Sequence, residues 1–428
     1  MASASSAPRR RGAGPCRRPG RRAERVTVLR IVADENIPLV AEVFAGLGPV
    51  ELVPARAIDA ARVARADVLL VRSVTRVDAA LVAGSRLRFV GSATIGTDHV
   101  DIAALAHAGI RFRHAPGSNA DAVVEYVLAA LLAVAVRRGE PLHGKVAGIV
   151  GCGSIGGRLA ERLPALGMLV LCNDPPLAQR AEQEGISHRY IALDRLLAES
   201  DVVTLHVPLT RAGPHPTLRL LDDAALAALR PGAWLLNTSR GAVVSGRALH
   251  VALTAGIPRA AVLDVWEHEP EPDPALVELV AIATPHIAGH SWDGKVAGTL
   301  MLRDALTREL DLRPPDDGEP SRAAPVAEPS LPMPLAQPLS LVPPAEPGST
   351  SLADVTWLHS LARQMYDIGA DDTRMRALPA GPERATAFHA LRRDYPRRHA
   401  FVRHALPAAA VPARLRRQVV DGLGVRLT

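Results

Sequence analysis

Cysteine is scarce. Cys16, Cys152 and Cys172 sit at spacings that fit neither a zinc site nor a disulfide framework, so no bound metal and a reducing, cytoplasmic setting are expected. Lysine is scarcer still, with Lys145 and Lys295 the only two among 50 basic residues. Arginine richness of that kind reads as a compositional bias, not as a phosphate-binding stripe. No uninterrupted apolar run is long enough to cross a bilayer, since the most apolar helical stretch, residues 122–136, carries Glu125. The Arg-rich start lacks the apolar core of a secretory signal. Residues 1–25 hold eight arginines and one glutamate, a net of +7, which against +6 for the whole chain leaves the remainder near −1. That segment reads as a disordered tail, and neither nucleic acid nor membrane is an expected partner.

What is present is ample for a core: 428 residues, 48% of them hydrophobic, enough for two or three domains. From residue 26 short β-branched runs alternate with longer helical ones, the pattern of a parallel α/β sheet. Strands are expected at 28–32, 67–71, 88–91 and 109–112. After an all-round apolar helix near 121–137 the pattern restarts, with strands at 146–150, 168–172, 201–206, 233–237 and 261–264. Residues 314–347 contain 11 of the 36 prolines and read as a linker, with a short strand possible at 337–342. Beyond it, residues 355–366 have helical periodicity and open a small third domain.

The strongest local signal is VAGIVGCGSIGG, beginning at Val146. It places Gly151, Gly153 and Gly156 as G-x-G-x-x-G directly after an apolar strand and at the opening of a helix. The first glycine permits the tight turn, the second lets the backbone approach a pyrophosphate, and the third lets helix and strand pack closely. Asp174 follows at the end of the next strand, where a carboxylate accepts from ribose hydroxyls and repels a 2′-phosphate. NAD is therefore the expected cofactor.

Three later strand ends carry Arg240, the acidic pair Glu267 and Glu269 with Asp264, and then His286. Ligands of open α/β sheets lie outside the carboxyl ends of the strands, so Arg240, Glu269 and His286 should converge beside the nicotinamide. That set suits oxidation of a 2-hydroxy acid. An imidazole takes the hydroxyl proton, a carboxylate orients the imidazole, and a planar guanidinium clamps the substrate carboxylate.

These residues resemble the D-isomer-specific 2-hydroxyacid dehydrogenase family. The likeness is carried by ADENIP from Ala33, RSVT from Arg72, TIGTDHVD from Thr94, APGSNA from Ala115, the glycine loop, and Asp174 with its two prolines. It continues with HIAG from His286 and DGK from Asp293, and resumes with YDIGADD from Tyr366 and FHALRRDYP from Phe388. It covers most of residues 28 to about 405.

The resemblance implies two Rossmann-like, doubly wound α/β domains: a split substrate-binding domain (26–117 and 287–310) around an inserted NAD-binding domain (118–286). A Pro-rich linker (311–336) then leads to a small α+β C-terminal domain (337–428) through which a homodimer forms. It implies oxidation of a small molecule, a phosphorylated four-carbon 2-hydroxy acid, with Arg240, Glu269 and His286 as the catalytic group. By matching position, cofactor contacts fall at Gly151, Gly153, Ser154, Ile155, Gly156, Asp174, Val207, Thr238, Ser239, Arg240, Asp264 and Gly289. Substrate contacts fall at Ser73, Thr94 and His290. Val207 stands where a threonine is usual, Ser118 where a cysteine is, and His290 where a tyrosine is expected. Arg72, beside Ser73, fits a phosphate partner or an internal ion pair. Two other readings are a dehydrogenase of a different small D-2-hydroxy acid and an NAD-sensing binding protein like the corepressors of this family.

Overall fold

A computed structural model describes residues 28–312 and 338–428. The tail at 1–25 and nearly all of the expected linker lie outside the described residues. The first sheet has five parallel strands in the order β2-β1-β3-β4-β5: β1 Ile31–Asp34, β2 Val50–Val53, β3 Val68–Val71, β4 Phe89–Ser92 and β5 Arg111–His114. Strand β3, Val-Leu-Leu-Val, is buried along its whole length, as a strand covered on both faces must be. The one strand here without a sequence signal is β2, an edge strand that turns Glu51 and Leu52 outward. One face of this sheet is completed from far along the chain. The Trp292–Glu309 helix, capped by Ser291, buries Leu302, Ala305 and Leu306 against Ile31, Leu70 and Phe89.

The second sheet has six parallel strands in the order β11-β10-β9-β8-β6-β7. They are β6 Val146–Val150, β7 Leu169–Asn173, β8 Val202–Leu205, β9 Trp234–Asn237, β10 Ala260–Leu263 and β11 Ile282–Ala283. The order reverses between β6 and β8, which opens a crevice at their carboxyl ends. The Ala120–Arg138 helix lies under this sheet. Every residue from Ala122 to Ala135 is buried, and Gly139 ends the helix at φ +65°, a left-handed value that glycine adopts without strain. The parallel α/β architecture expected from the alternation of strands and helices is the one the chain adopts.

The C-terminal residues form helices Ser351–Met365, Ile368–Arg376 and Arg384–Arg393 and a sheet of three short strands, β12 Leu339–Ser340, β13 His404–Leu406 and β14 Arg426–Leu427, ordered β12-β13-β14. Their apolar residues do not form a separate core. Trp357, Leu361, Phe401 and Leu415 join one cluster with Tyr126, Leu131 and Val134 of the all-buried helix. No helix among the described residues is long and apolar enough to cross a membrane.

Candidate active site

The glycine loop closes β6 at the point where the strand order reverses. Gly151 has φ +88°, and a Cβ there would meet the His206 carbonyl and the Val207 side chain at 2.9 Å. At Gly156 a Cβ would run into the Gly151 carbonyl oxygen. At Gly153, by contrast, nothing lies within 4 Å of that position, so the loop presents open backbone between two crowded glycines. This is the concavity a pyrophosphate fits. Ser154 is exposed on the same loop, and Ile155 packs into the core beneath it. Asp174 caps the Pro175–Gln183 helix through the Leu177 amide (3.1 Å) and accepts from the Cys152 amide of the loop (2.8 Å). Its carboxylate thereby fixes the loop and keeps acceptor capacity for a ribose hydroxyl. These features fit NAD.

The loops after β8 and β9 form the opposite wall. His206 bonds Thr204 Oγ1 (2.9 Å) and Thr238 Oγ1 (3.3 Å), and burial pushes its imidazole down to about 3, so it is neutral. Val207 fills the space against Gly151. Ser239 is buried, its hydroxyl and amide both held by Asn237 Oδ1. From that turn Arg240 reaches across to the first sheet's loops, where Nε and Nη2 lie 3.3 and 3.2 Å from Asp98 Oδ2. The Asp98 side chain is 69% exposed, so this is a weak pair that a bound carboxylate can displace.

His286 is held more firmly. It has φ +58°, an uncommon conformation for a non-glycine residue and one that surrounding contacts must impose. Asp264, 1% exposed, supplies them. Its carbonyl accepts from the His286 amide (2.7 Å), and its carboxylate accepts from Ile287 N, Ala288 N and Thr284 Oγ1 (2.8, 2.9 and 2.6 Å). Asp264 thus faces protein on all sides, and its direct role is to shape the histidine loop. Gly289 lies close against the Asn119 side chain in the same turn, where a Cβ would meet its amide nitrogen.

Glu269 takes the Trp266 amide on one oxygen (2.8 Å) and His286 Nδ1 on the other (2.7 Å). Burial pushes its carboxyl up, but His286, the Trp266 amide and Arg392 outweigh burial and hold it below the usual range. An ionised carboxylate can only accept, so Nδ1 donates to it and Nε2 is the ring nitrogen not engaged by Glu269. Glu267, the other acid of that strand end, binds the Gly246 amide (2.9 Å) and Arg219 (3.2 Å) instead.

The substrate candidates are placed less uniformly. Ser73 is exposed at the end of β3. Thr94 Oγ1 bonds Ser92 Oγ (2.7 Å) and the Gly96 carbonyl (3.1 Å) in the loop that carries Asp98. Arg72 makes the internal ion pair, with Nε 2.9 Å from Asp34 Oδ2. His290 sits past the His286 loop with its ring edge-on to Tyr395, centroids 5.5 Å apart. Asp98 and Arg392 were not singled out from the sequence, although both lie inside motifs that were. Among the described residues no cluster of His, Cys, Asp or Glu could hold a metal ion.

A nucleotide crevice at a strand-order reversal, bordered by an imidazole–carboxylate pair and an arginine, defines an NAD-dependent dehydrogenase of the D-2-hydroxyacid class. Residues 129–288 match the profile of the D-isomer specific 2-hydroxyacid dehydrogenase, NAD binding domain. The chain is 51% identical to the erythronate-4-phosphate dehydrogenase of Salinibacter ruber, over 94% of this chain and all of that one. It is 46% identical to the enzyme of the same name from Pseudomonas aeruginosa, over 93% of this chain and all of that one. A solved protein of Thermus thermophilus superposes with a TM-score of 0.57 at 30% identity, over 67% of this chain and 99% of that one. The chain belongs to the erythronate-4-phosphate dehydrogenase family.

Proposed function

We propose that the chain oxidises 4-phospho-D-erythronate at C2 to (R)-3-hydroxy-2-oxo-4-phosphobutanoate with NAD, a step toward pyridoxal 5′-phosphate. The observation that carries this reading is the 2.7 Å Glu269–His286 pair, held at the mouth of the nucleotide crevice opposite Arg240. Arg240 exchanges Asp98 for the substrate carboxylate and so orients the carbinol carbon. Nε2 of His286 accepts the C2 hydroxyl proton, and Glu269 stabilises the imidazolium that results. NAD, when bound, supplies the hydride acceptor. Asp264 positions the His286 loop, and Gly151, Gly153 and Gly156 shape the loop that receives the pyrophosphate. Ser154 and Ile155 lie on that loop, while Asp174 binds the ribose. Val207, Thr238, Ser239 and Gly289 line the nicotinamide side, and Ser73, Thr94 and His290 the substrate side.

The chain works as a cytoplasmic homodimer joined through residues 337–428. The test of function is NADH formation with 4-phosphoerythronate against erythronate, glycerate and 3-phosphoglycerate, with a 2-oxo acid supplied to regenerate any cofactor that stays bound. Reduction should be confined to 4-phosphoerythronate and should fall at least 100-fold in His286→Ala. Preference for an unphosphorylated acid would overturn the substrate assignment, and no reduction with any of the four would revive the binding-protein reading.

A further inference from the structure

Cys152 stands inside the glycine loop, between Gly151 and Gly153, and Cys172 stands two residues before Asp174 near the end of β7. The parallel pairing of β6 with β7 brings the two together. Ile149 is the register partner of Cys172, Cys152 Sγ lies 3.9 Å from the Ile149 carbonyl oxygen, and the Gly151 amide donates to the Asn173 carbonyl (2.8 Å). Both side chains pack into the apolar cluster that holds Ile149 and Leu159, so they share one face of the sheet. The Cys152 thiol donates a hydrogen bond to the Cys172 sulphur. Both are free thiols, Cys172 fully buried and Cys152 half-buried.

That hydrogen bond divides the pair into a proton holder and a thiolate. It lowers the Cys172 thiol, with the Arg189 guanidinium adding to the effect and burial opposing it, and it raises the Cys152 thiol, with burial adding to the effect. A thiol bonded to a thiolate is poised for oxidation, because one sulphur serves as base for the other and then as nucleophile toward it. The half-buried Cys152 is the one an oxidant meets. Its backbone has a second tie, the amide bond to Asp174 Oδ2 (2.8 Å) that fixes the loop.

We propose that Cys152 and Cys172 form an oxidisable dithiol that closes to a disulfide and thereby lowers the affinity of the glycine loop for NAD. With hydrogen peroxide as oxidant, Cys152 sulphur attacks one oxygen while its proton passes to Cys172. The O–O bond breaks, leaving a sulfenic acid on Cys152 and a hydroxide ion that takes the proton back from Cys172 as water. The Cys172 thiolate then attacks Cys152 sulphur, the S–S bond forms and the S–O bond breaks, releasing hydroxide. The sulphurs must close from hydrogen-bond contact to about 2.05 Å. β7 is held along its length by pairing with β6, so the movement falls on the loop, where Gly151 sits at φ +88° and Gly153 meets nothing within 4 Å. The Cys152–Gly153 backbone is drawn toward the sheet, and the concavity for the pyrophosphate is lost. By reciprocity, bound NAD disfavours the bridge. A reversible bridge suits a reducing compartment, where protein disulfides are chiefly transient and redox-sensing.

Two measurements on the full chain test it. Reduced wild type and Cys172→Ala would be treated with hydrogen peroxide or with oxidised glutathione. Mass spectrometry would then seek a peptide linked through Cys152 and Cys172, and calorimetry would measure NAD binding before and after. Wild type should yield the linked peptide and bind NAD roughly tenfold more weakly or worse, with dithiothreitol reversing both changes. In a glutathione buffer, saturating NAD should move the dithiol midpoint about 30 mV toward more positive potential for each tenfold of that loss. Cys172→Ala should bind NAD within about threefold of reduced wild type and ignore the oxidant. Sulfinic acid or a Cys16 adduct in place of the linked peptide would overturn the proposal, and so would a linked protein that binds NAD as tightly as the reduced one. Loss of NAD binding in oxidised Cys172→Ala would place the sensitivity elsewhere and overturn it equally.

Discussion

Glu125 is the one acid in the buried run from Ala122 to Ala135 of the Ala120–Arg138 helix, and it makes the stability of this protein depend on pH in a way that can be worked out beforehand. One oxygen accepts from the Phe401 amide (2.7 Å) and the other is buried without a partner. Burial is the larger influence and Arg398 opposes it, and the net effect moves the carboxyl from 4.5 up to about 7. A raised carboxyl means that the folded state holds a proton the unfolded state has already released between those two values, so stability falls as pH rises through that window. Below about 4.5 both states are protonated and there is no effect; above about 7 both are ionised and the penalty is complete. At about 1.36 kcal/mol per pH unit the penalty is of order 3 kcal/mol. Glu125→Gln keeps the acceptor for Phe401 and removes the titration. Urea midpoints should therefore agree with wild type at pH 4.5 and exceed it at pH 8 by an amount equivalent to roughly 2–3 kcal/mol. The same offset at both pH values, or a loss of stability at pH 8, would show that the carboxyl is not protonated in the fold.

The second and third glycines of the loop should separate in mutagenesis. Gly153→Ala should raise KM for NAD at least tenfold with an unchanged melting temperature, because its Cβ meets only the space left for a ligand. Gly156→Ala should cost about 1–3 kcal/mol in unfolding free energy by forcing helix and strand apart, which denaturant titration would read. Asp174→Ala should lower the NAD-to-NADP ratio of kcat/KM and cost about 1 kcal/mol through the lost helix cap; an unchanged ratio would remove Asp174 from the ribose site. Asp264→Asn should cut kcat steeply with little change in KM for NAD, since its amide cannot accept from all three donors that the carboxylate serves. An unchanged kcat in steady-state kinetics would show that the histidine loop holds its shape without that carboxylate.

Most of the framework is legible from residue order. The buried runs at Val68–Val71 and Val146–Val150 announce strands because a sheet covered on both faces leaves no polar alternation to confuse them. Strand β2 escapes because Glu51 and Leu52 face outward at a sheet edge, and β11 because two residues carry no period. His286 is framed by local sequence, and its partner Glu269 lies 17 residues away. What residue order cannot reveal is the closure of the C-terminal segment on residues 288–295, which brings groups about 100 positions apart into one charge cluster. The inertness of Glu267 is hidden for the same reason, since it depends on Arg219, 48 residues earlier.

The return of the Trp292–Glu309 helix to the first sheet has a consequence during synthesis. On the ribosome, β1 to β5 emerge with the apolar face of Ile31, Leu70 and Phe89 covered only in part, by Val40, Val43 and Phe44, and the residues that complete the cover come roughly 190 positions later, after the whole second sheet. At about 5–20 residues per second that delay is roughly 10 to 40 s. The nascent chain thus carries an incompletely covered half-domain for somewhat under half of its translation, until Leu302 and Leu306 arrive.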